Sequence, residues 1–240
     1  MATHQVKLKS RQEIAEGTMA FHFEKPPGFA FKAGQALAWT LINPPETDDE
    51  GVMRNFSIAS APGEPDLMIA TRMRDTAFKR VLKTMPLGTE VRIVGPFGSL
   101  TLRQNAAQPA VFLAGGIGIT PFRSMLRQAA EQKLPHHLFL FYSNRRPEDA
   151  AFLEELEDLE KENSNYKFIG TMTKMAGSNR VWRGETSFIS QETLTKYIGD
   201  LAAPIYYIAG PPAMVAAMRQ TLSVAGVNSD DVRAEEFAGY

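Results

Sequence analysis

From residue 5 to about residue 104, apolar residues recur at every second position in short runs, the period of half-buried strands. Segments 5–9, 18–24, 35–42, 54–59, 67–72 and 89–94 carry this pattern, and Pro26-Pro27-Gly28, Asn43-Pro44-Pro45 and Pro62-Gly63 punctuate it. Short strands separated by such turns predict an antiparallel six-stranded β-barrel. One helix interrupts it over 76–85, where Phe78, Val81, Leu82 and Met85 fall at helical spacing and Asp75 or Thr76 supplies the cap.

Beyond Pro109 the period changes. Apolar runs at 111–114, 138–142, 166–170 and 205–209 alternate with helical patterns at 122–130, 147–162, 190–198 and 212–224, and 231–237 closes the series. Strand–helix alternation predicts an α/β doubly wound parallel sheet, with ligands at the carboxyl ends of its strands. The expected domains are therefore 1–104 and 109–240.

Composition narrows the chemistry. The chain has 240 residues, 44% hydrophobic and 22% charged, and a formal net charge of −1, which gives no general attraction to nucleic acid or an anionic membrane. No apolar run approaches the ~20 residues that span a bilayer, and the opening MATHQVKLKS lacks the apolar core of a signal peptide. A cytoplasmic location is the expectation. With no cysteine, a disulfide, a thiolate nucleophile and a Cys-ligated iron–sulfur cluster are all excluded within this sequence. Four histidines without metal-ligand spacing make metal catalysis an unpromising reading.

Three segments carry candidate chemistry. Arg54-Asn55-Phe56-Ser57 offers a cation for a phosphate, a ring for a planar heterocycle and a hydroxyl for a ring edge. Gly115-Gly116-Ile117-Gly118-Ile119-Thr120-Pro121 follows a strand pattern and precedes a helix, so its backbone N–H groups suit a pyrophosphate. Ala209-Gly210-Pro211-Pro212 ends the fourth apolar run of the second half. In this order, from about residue 5 to the C-terminus, they resemble the ferredoxin–NADP reductase superfamily, here without a fused iron–sulfur domain.

The resemblance implies FAD and NADP or NAD as cofactors. It assigns Arg54 to a flavin phosphate, Phe56 to the isoalloxazine or ribityl stem, and Ser57 to the neighbourhood of flavin N5, with Asn55 between them. Ala70, Thr71 and Arg72 would lie along the ribityl chain, and Asp75-Thr76-Ala77 would open a helix onto the pyrophosphate, favouring FAD over FMN. Gly115, Gly116, Gly118, Thr120 and Pro121 would meet the nicotinamide nucleotide. Ala209, with Gly210 and Pro211, stands where relatives commonly carry a cysteine beside the nicotinamide; hydride transfer requires positioning rather than a nucleophile. Phe237 or Tyr240 would cover the flavin and move before a nicotinamide stacks.

For the coenzyme, Ser143, Arg145 and Arg146 after the second strand and Thr173 and Lys174 after the third suit a 2′-phosphate and favour NADPH. Glu148 and Asp149 nearby keep NADH open. The basic run Arg72, Arg74, Lys79, Arg80 and Lys83 reads either as a solvated face or as a dock for an acidic carrier protein. The expected function is hydride transfer from NAD(P)H to FAD, then electron delivery to a separate acceptor: ferredoxin, flavodoxin, an oxygenase component or a small molecule. The alternatives are a diffusible flavin or ferric reductase and a non-enzymatic redox-sensing subunit.

Overall fold

The structure, a computed structural model, describes residues 2–237. Its longest strand, β1 (Ala2–Ala15), joins two parts of one curled sheet. Residues 2–7 pair with β6 (Glu90–Phe97), and residues 8–15 pair with β2 (Thr18–Glu24), both antiparallel. With β3 (Ala36–Leu41), β4 (Met53–Ser57) and β5 (Asp66–Arg72), the order is β4-β3-β6-β1-β2-β5. The two end strands then approach each other, and the Ala59 N–H donates to the Met68 carbonyl at 2.8 Å. This contact gives the sheet the barrel-like curl expected of its turn-rich strands. Phe21, Phe23, Leu37, Trp39, Ile69 and Ile93 fill the interior. The helix α1 (Ala77–Thr84) covers that core with Phe78, Val81 and Leu82.

The second sheet is parallel throughout, in the order β11-β10-β7-β8-β9. Its strands are β7 (Ala110–Gly115), β8 (Leu138–Asn144), β9 (Tyr166–Met172), β10 (Ile205–Gly210) and β11 (Val232–Glu236). Every residue of β7 and β10 is buried, as central parallel strands require. Alternate residues face opposite layers. Phe112, Ala114, Tyr207 and Ala209 meet α2 (Ile119–Glu131) and α3 (Leu153–Glu162). Val111, Leu113, Tyr206 and Ile208 meet α4 (Gln191–Ile198) and α5 (Pro212–Val224). The chain leaves β7 towards β8 but later returns to its other side as β10. A crevice therefore opens at their carboxyl ends.

Two helices depart from the expected spans. The pattern at 147–162 resolves into a short 3-10 turn, Pro147–Asp149, and α3, because Phe152 adopts φ 59° and breaks the ladder. Its ring lies 5.1 Å from the Arg123 guanidinium carbon, at the junction of the two sheets. Helix α2 begins at Ile119, with Pro121 inside its first turn, where a missing N–H costs nothing.

Arg123 ties the halves together. It donates to the Ala59 carbonyl and to Glu64 at 2.8 Å, and to Glu155 at 2.9 Å. Ser124 adds a 2.7 Å bond to the Ser60 carbonyl. Burial opposes charge on both Arg123 and Glu64. Their mutual hydrogen bonds outweigh it, raising the arginine pKa and lowering that of the carboxyl. Small residues Ala20, Ala59 and Ala70 allow the domains to approach closely over Ile117 and Phe152.

Candidate active site

Beyond the Ala59–Met68 contact the edge strands β4 and β5 diverge, and the gap becomes a cleft of about 430 Å³. Arg54, Asn55, Phe56 and Ser57 line one side; Ala70, Thr71 and Arg72 line the other. Thr76 stands at the mouth with Arg74, Lys79 and Glu50, while Ile117, Thr120 and Phe237 come from the parallel-sheet domain. The structure thus gathers in one cavity residues that lie far apart in the chain. Arg74, Lys79, Glu50 and Ile117 are additions to the expected set. The first two belonged to the basic run, whose spacing did not separate inward-turning cations from exposed ones.

One end of the cleft is cationic. The Arg54 guanidinium lies over the Phe78 ring at 5.3 Å. Lys79 is held below the usual ammonium range by burial first and then by Arg74 and Arg54. Arg74 and Lys79 form no ion pair among the described residues. Arg80 is different: it pairs with Glu46 at 2.6 Å and Asp75 at 2.5 Å, outside the cleft. Thr76 is the N-cap of α1, its hydroxyl accepting from the Lys79 N–H. The Ala77 N–H, expected to face a phosphate, donates to Asp48 Oδ2 at 2.8 Å. Arg72 Nε is buried without a hydrogen-bond partner, a donor left over at the cleft wall.

At the carboxyl end of β7 the glycines serve close approach. Gly116 has φ 51°, which L side chains rarely adopt, and starts the 3-10 turn Gly116–Gly118. A Cβ on Gly118 would meet the Ala209 carbonyl and come within 2.7 Å of the Gly210 nitrogen. The turn therefore rests on β10 backbone, which carries Thr120 down to the cleft floor. The Thr120 hydroxyl donates to the Ile117 carbonyl at 3.1 Å. Ala209 is fully buried, packed with Phe112 and Tyr207 beneath the crevice. The Phe237 N–H donates to the Gly210 carbonyl at 2.9 Å and its ring reaches the cleft. Tyr240 lies outside the described residues.

The coenzyme residues separate into two groups. Ser143, at the end of β8, lines a groove of about 680 Å³ that continues past Pro211, Ala213 and Met214 to Phe188. The Phe188 ring is 76% exposed, which the sequence pattern, an irregular loop, gave no means to recognise. Thr173 N–H and hydroxyl both reach the Asn144 carbonyl, and the Lys174 N–H donates to the Arg145 carbonyl at 2.8 Å. This brings Arg145 and Lys174 side by side. Arg146 turns away: it bonds Asp149 at 3.0 Å and Glu16 of the other domain at 2.7 Å. Its expected place beside a coenzyme phosphate gives way to these contacts, because Asp149 in the adjacent turn and Glu16 across the domain junction both lie within hydrogen-bond reach.

A cationic cleft on a curled antiparallel sheet, continuous with the switch point of a parallel sheet, fits the expected class, a flavoprotein oxidoreductase that uses a nicotinamide nucleotide. Comparison with known proteins agrees. The family described as "Oxidoreductase NAD-binding domain" matches residues 112–220. The chain is 33% identical over 226 residues to ferredoxin–NADP reductase B of Sorangium cellulosum, covering 90% of this chain and 89% of that one. It is 27% identical to the reductase component of propane 2-monooxygenase from Rhodococcus jostii over 89% of this chain, and spans only 57% of that relative. A solved ferredoxin NADP+ reductase from Neisseria gonorrhoeae, with bound FAD and NADP, shares the fold at TM-score 0.78 and 21% identity, covering 98% of each chain. The chain belongs to the ferredoxin–NADP reductase family.

Proposed function

We propose that this chain is an FAD-dependent reductase that takes reducing equivalents from NADPH and delivers them to a separate acceptor, a ferredoxin, flavodoxin or oxygenase component. The observation that carries the reading is the single cleft shared by Ser57 and Phe56 of one domain with Thr120 and Phe237 of the other. The donor set fits the cofactor: cations and the Thr76 cap at one end for phosphates, an aromatic ring and hydroxyls at the other, and an unpartnered Arg72 Nε between. Bound FAD would supply the chemistry, accepting two electrons from a reduced nicotinamide and releasing them singly or in pairs.

The protein's own residues hold and orient. Arg54, Arg74 and Lys79 neutralise phosphate charge, and Arg54 gives a planar fork where Lys79 gives a point charge. Phe56, which lines the cleft, would lie against the flavin. Ser57, 5% exposed, offers a hydroxyl shielded from bulk water. Thr120 and the Gly116–Gly118 turn bring the nicotinamide from the switch point, and Phe237 closes the site against water. The apolar groove ending at Phe188 takes the adenosine half, its exposed ring presenting a stacking face. Arg145 and Lys174 then meet the 2′-phosphate, which favours NADPH over NADH.

Steady-state reduction of ferricyanide by the FAD-loaded protein tests this. The expected result is turnover with NADPH at a lower KM than with NADH, a preference reduced at least about tenfold, or about 1.4 kcal/mol, in a Arg145→Ala/Lys174→Ala variant. Equal KM values for the two coenzymes would overturn the NADPH assignment.

A further inference from the structure

The loop joining β3 and β4 carries four carboxylates within Glu46–Glu50 and lies against the cationic end of the cleft. Two of them meet groups assigned above to flavin phosphate. Asp48 Oδ2 accepts from the Ala77 N–H at 2.8 Å, at the N-terminus of α1. Glu50 Oε2 accepts from Arg54 Nη2 at 2.7 Å, and Asp48 lies 3.5 Å from the same nitrogen. Arg54 Nη1 donates to the carbonyls of Glu50 and Met53, each at 2.8 Å, and of Gly51 at 3.1 Å. The hydrogen bond from the Ala77 N–H first, then that from the Glu50 N–H and the Arg54 charge, hold the Asp48 carboxyl below its ordinary pKa.

These contacts compete with a phosphate rather than complete its site. Donors can be shared, but a carboxylate beside a phosphate adds like-charge repulsion. The loop can also leave. Glu50 is largely exposed, the segment is bounded by Pro44-Pro45 and by Gly51 at φ 73°, and its closing bond, Gly51 N–H to the Asp48 carbonyl, is local.

We infer that Asp48 and Glu50 are an internal substitute for the flavin's phosphate groups, holding the α1 amide and the Arg54 guanidinium until a phosphate displaces them. The inference rests on the flavin site proposed above. Flavin binding is then an exchange of anions, weakened by the carboxylates it expels. Retention of the cofactor is set by a surface loop rather than by the cleft alone. Arg74 and Lys79, free of ion pairs among the described residues, are the cations that first receive the incoming phosphate.

The test is fluorescence titration of FAD into the flavin-stripped protein. Wild type is compared with Asp48→Asn/Glu50→Gln, with Glu50→Gln alone, and with Asp49→Asn as a control, a carboxylate of the same loop that is exposed. The double variant is expected to bind FAD roughly three- to tenfold more tightly and the single variant about twofold, within the range of exposed ion pairs, with Asp49→Asn unchanged. Glu50→Gln leaves the α1 cap untouched, so it reports even if the double variant unfolds. Unchanged or weaker binding in Glu50→Gln and in a folded double variant would overturn the inference while leaving the cleft a flavin site. Failure of all forms to bind FAD would remove both.

Discussion

Replacing Arg123 removes the main polar contact between the two sheets, and its cost can be worked from its partners. The side chain is 8% exposed; its partners Glu64 and Glu155 are 25% and 29% exposed. Breaking a buried pair from one side costs about 3–5 kcal/mol. Here the orphaned carboxylates keep some access to water, which moves the figure down. The Ala59 carbonyl, on a residue with no exposed surface, loses a bond at 2.8 Å and moves it back up. We expect Arg123→Ala to lose about 3 kcal/mol, lowering the urea midpoint at pH 7 by roughly 1–1.5 M for a denaturant slope of about 2–3 kcal/mol/M. Arg123→Lys should recover less than half, since one ammonium cannot serve Glu64, Glu155 and the carbonyl together.

The loss should also depend on pH in one direction. The folded pKa of Glu64 lies below its unfolded value, so its stabilisation is fully present above about pH 4.3, the ordinary glutamate value, and fades as pH falls through the folded value. The difference between wild type and Arg123→Ala should be flat from pH 6 to 8 and shrink in acid. A midpoint change below about 0.3 M at pH 7 would refute the interface reasoning.

Other substitutions probe the site. Gly118→Ala should destabilise by about 1–3 kcal/mol in thermal or urea unfolding, because the added carbon meets β10 backbone that cannot yield; a neutral effect would remove the close-approach argument. Arg54→Ala should weaken FAD binding about 10–100-fold by fluorescence titration, the worth of a charged hydrogen bond at a phosphate. Retention of wild-type affinity would take Arg54 out of the site. Ser57→Ala should leave FAD affinity within a few-fold and slow flavin reduction by NADPH at least about tenfold in stopped flow; an unchanged rate would reduce Ser57 to a packing residue.

Where one period governed a segment, its structure was legible. Strand β2 and helix α5 run over the residues that the alternating and helical patterns marked, because each buries one clear face. Strand β1 did not announce its length: only Val6 and Leu8 are buried along it, and the rest lies exposed or half-exposed as the strand passes between the two parts of the sheet. The break at Phe152 was hidden because its ring serves the domain interface, a tertiary demand invisible in helical spacing.

The site divides in the same way. Motif residues on strands and turns, Arg54 to Ser57 with Ile117 and Thr120, converge because backbone geometry fixes their direction. Long side chains were not legible by type alone. Arg146, expected at a coenzyme phosphate, instead crosses to Glu16; Arg74 and Lys79, read as surface, enter the cleft; and the acidic loop closes onto Ala77 and Arg54. Arg146 and the acidic loop follow partners that come within reach only after folding, and Arg74 and Lys79 follow the placement of the cleft wall.

The central claim is that one cleft joins a flavin to a nicotinamide nucleotide. Anaerobic absorbance titration of the FAD-loaded protein with NADPH, then NADH, tests it most directly. The account predicts that the oxidised flavin band bleaches with NADPH near one equivalent and less completely with NADH at the same ratio. A band that persists with both nucleotides, in protein that demonstrably holds FAD, would contradict it.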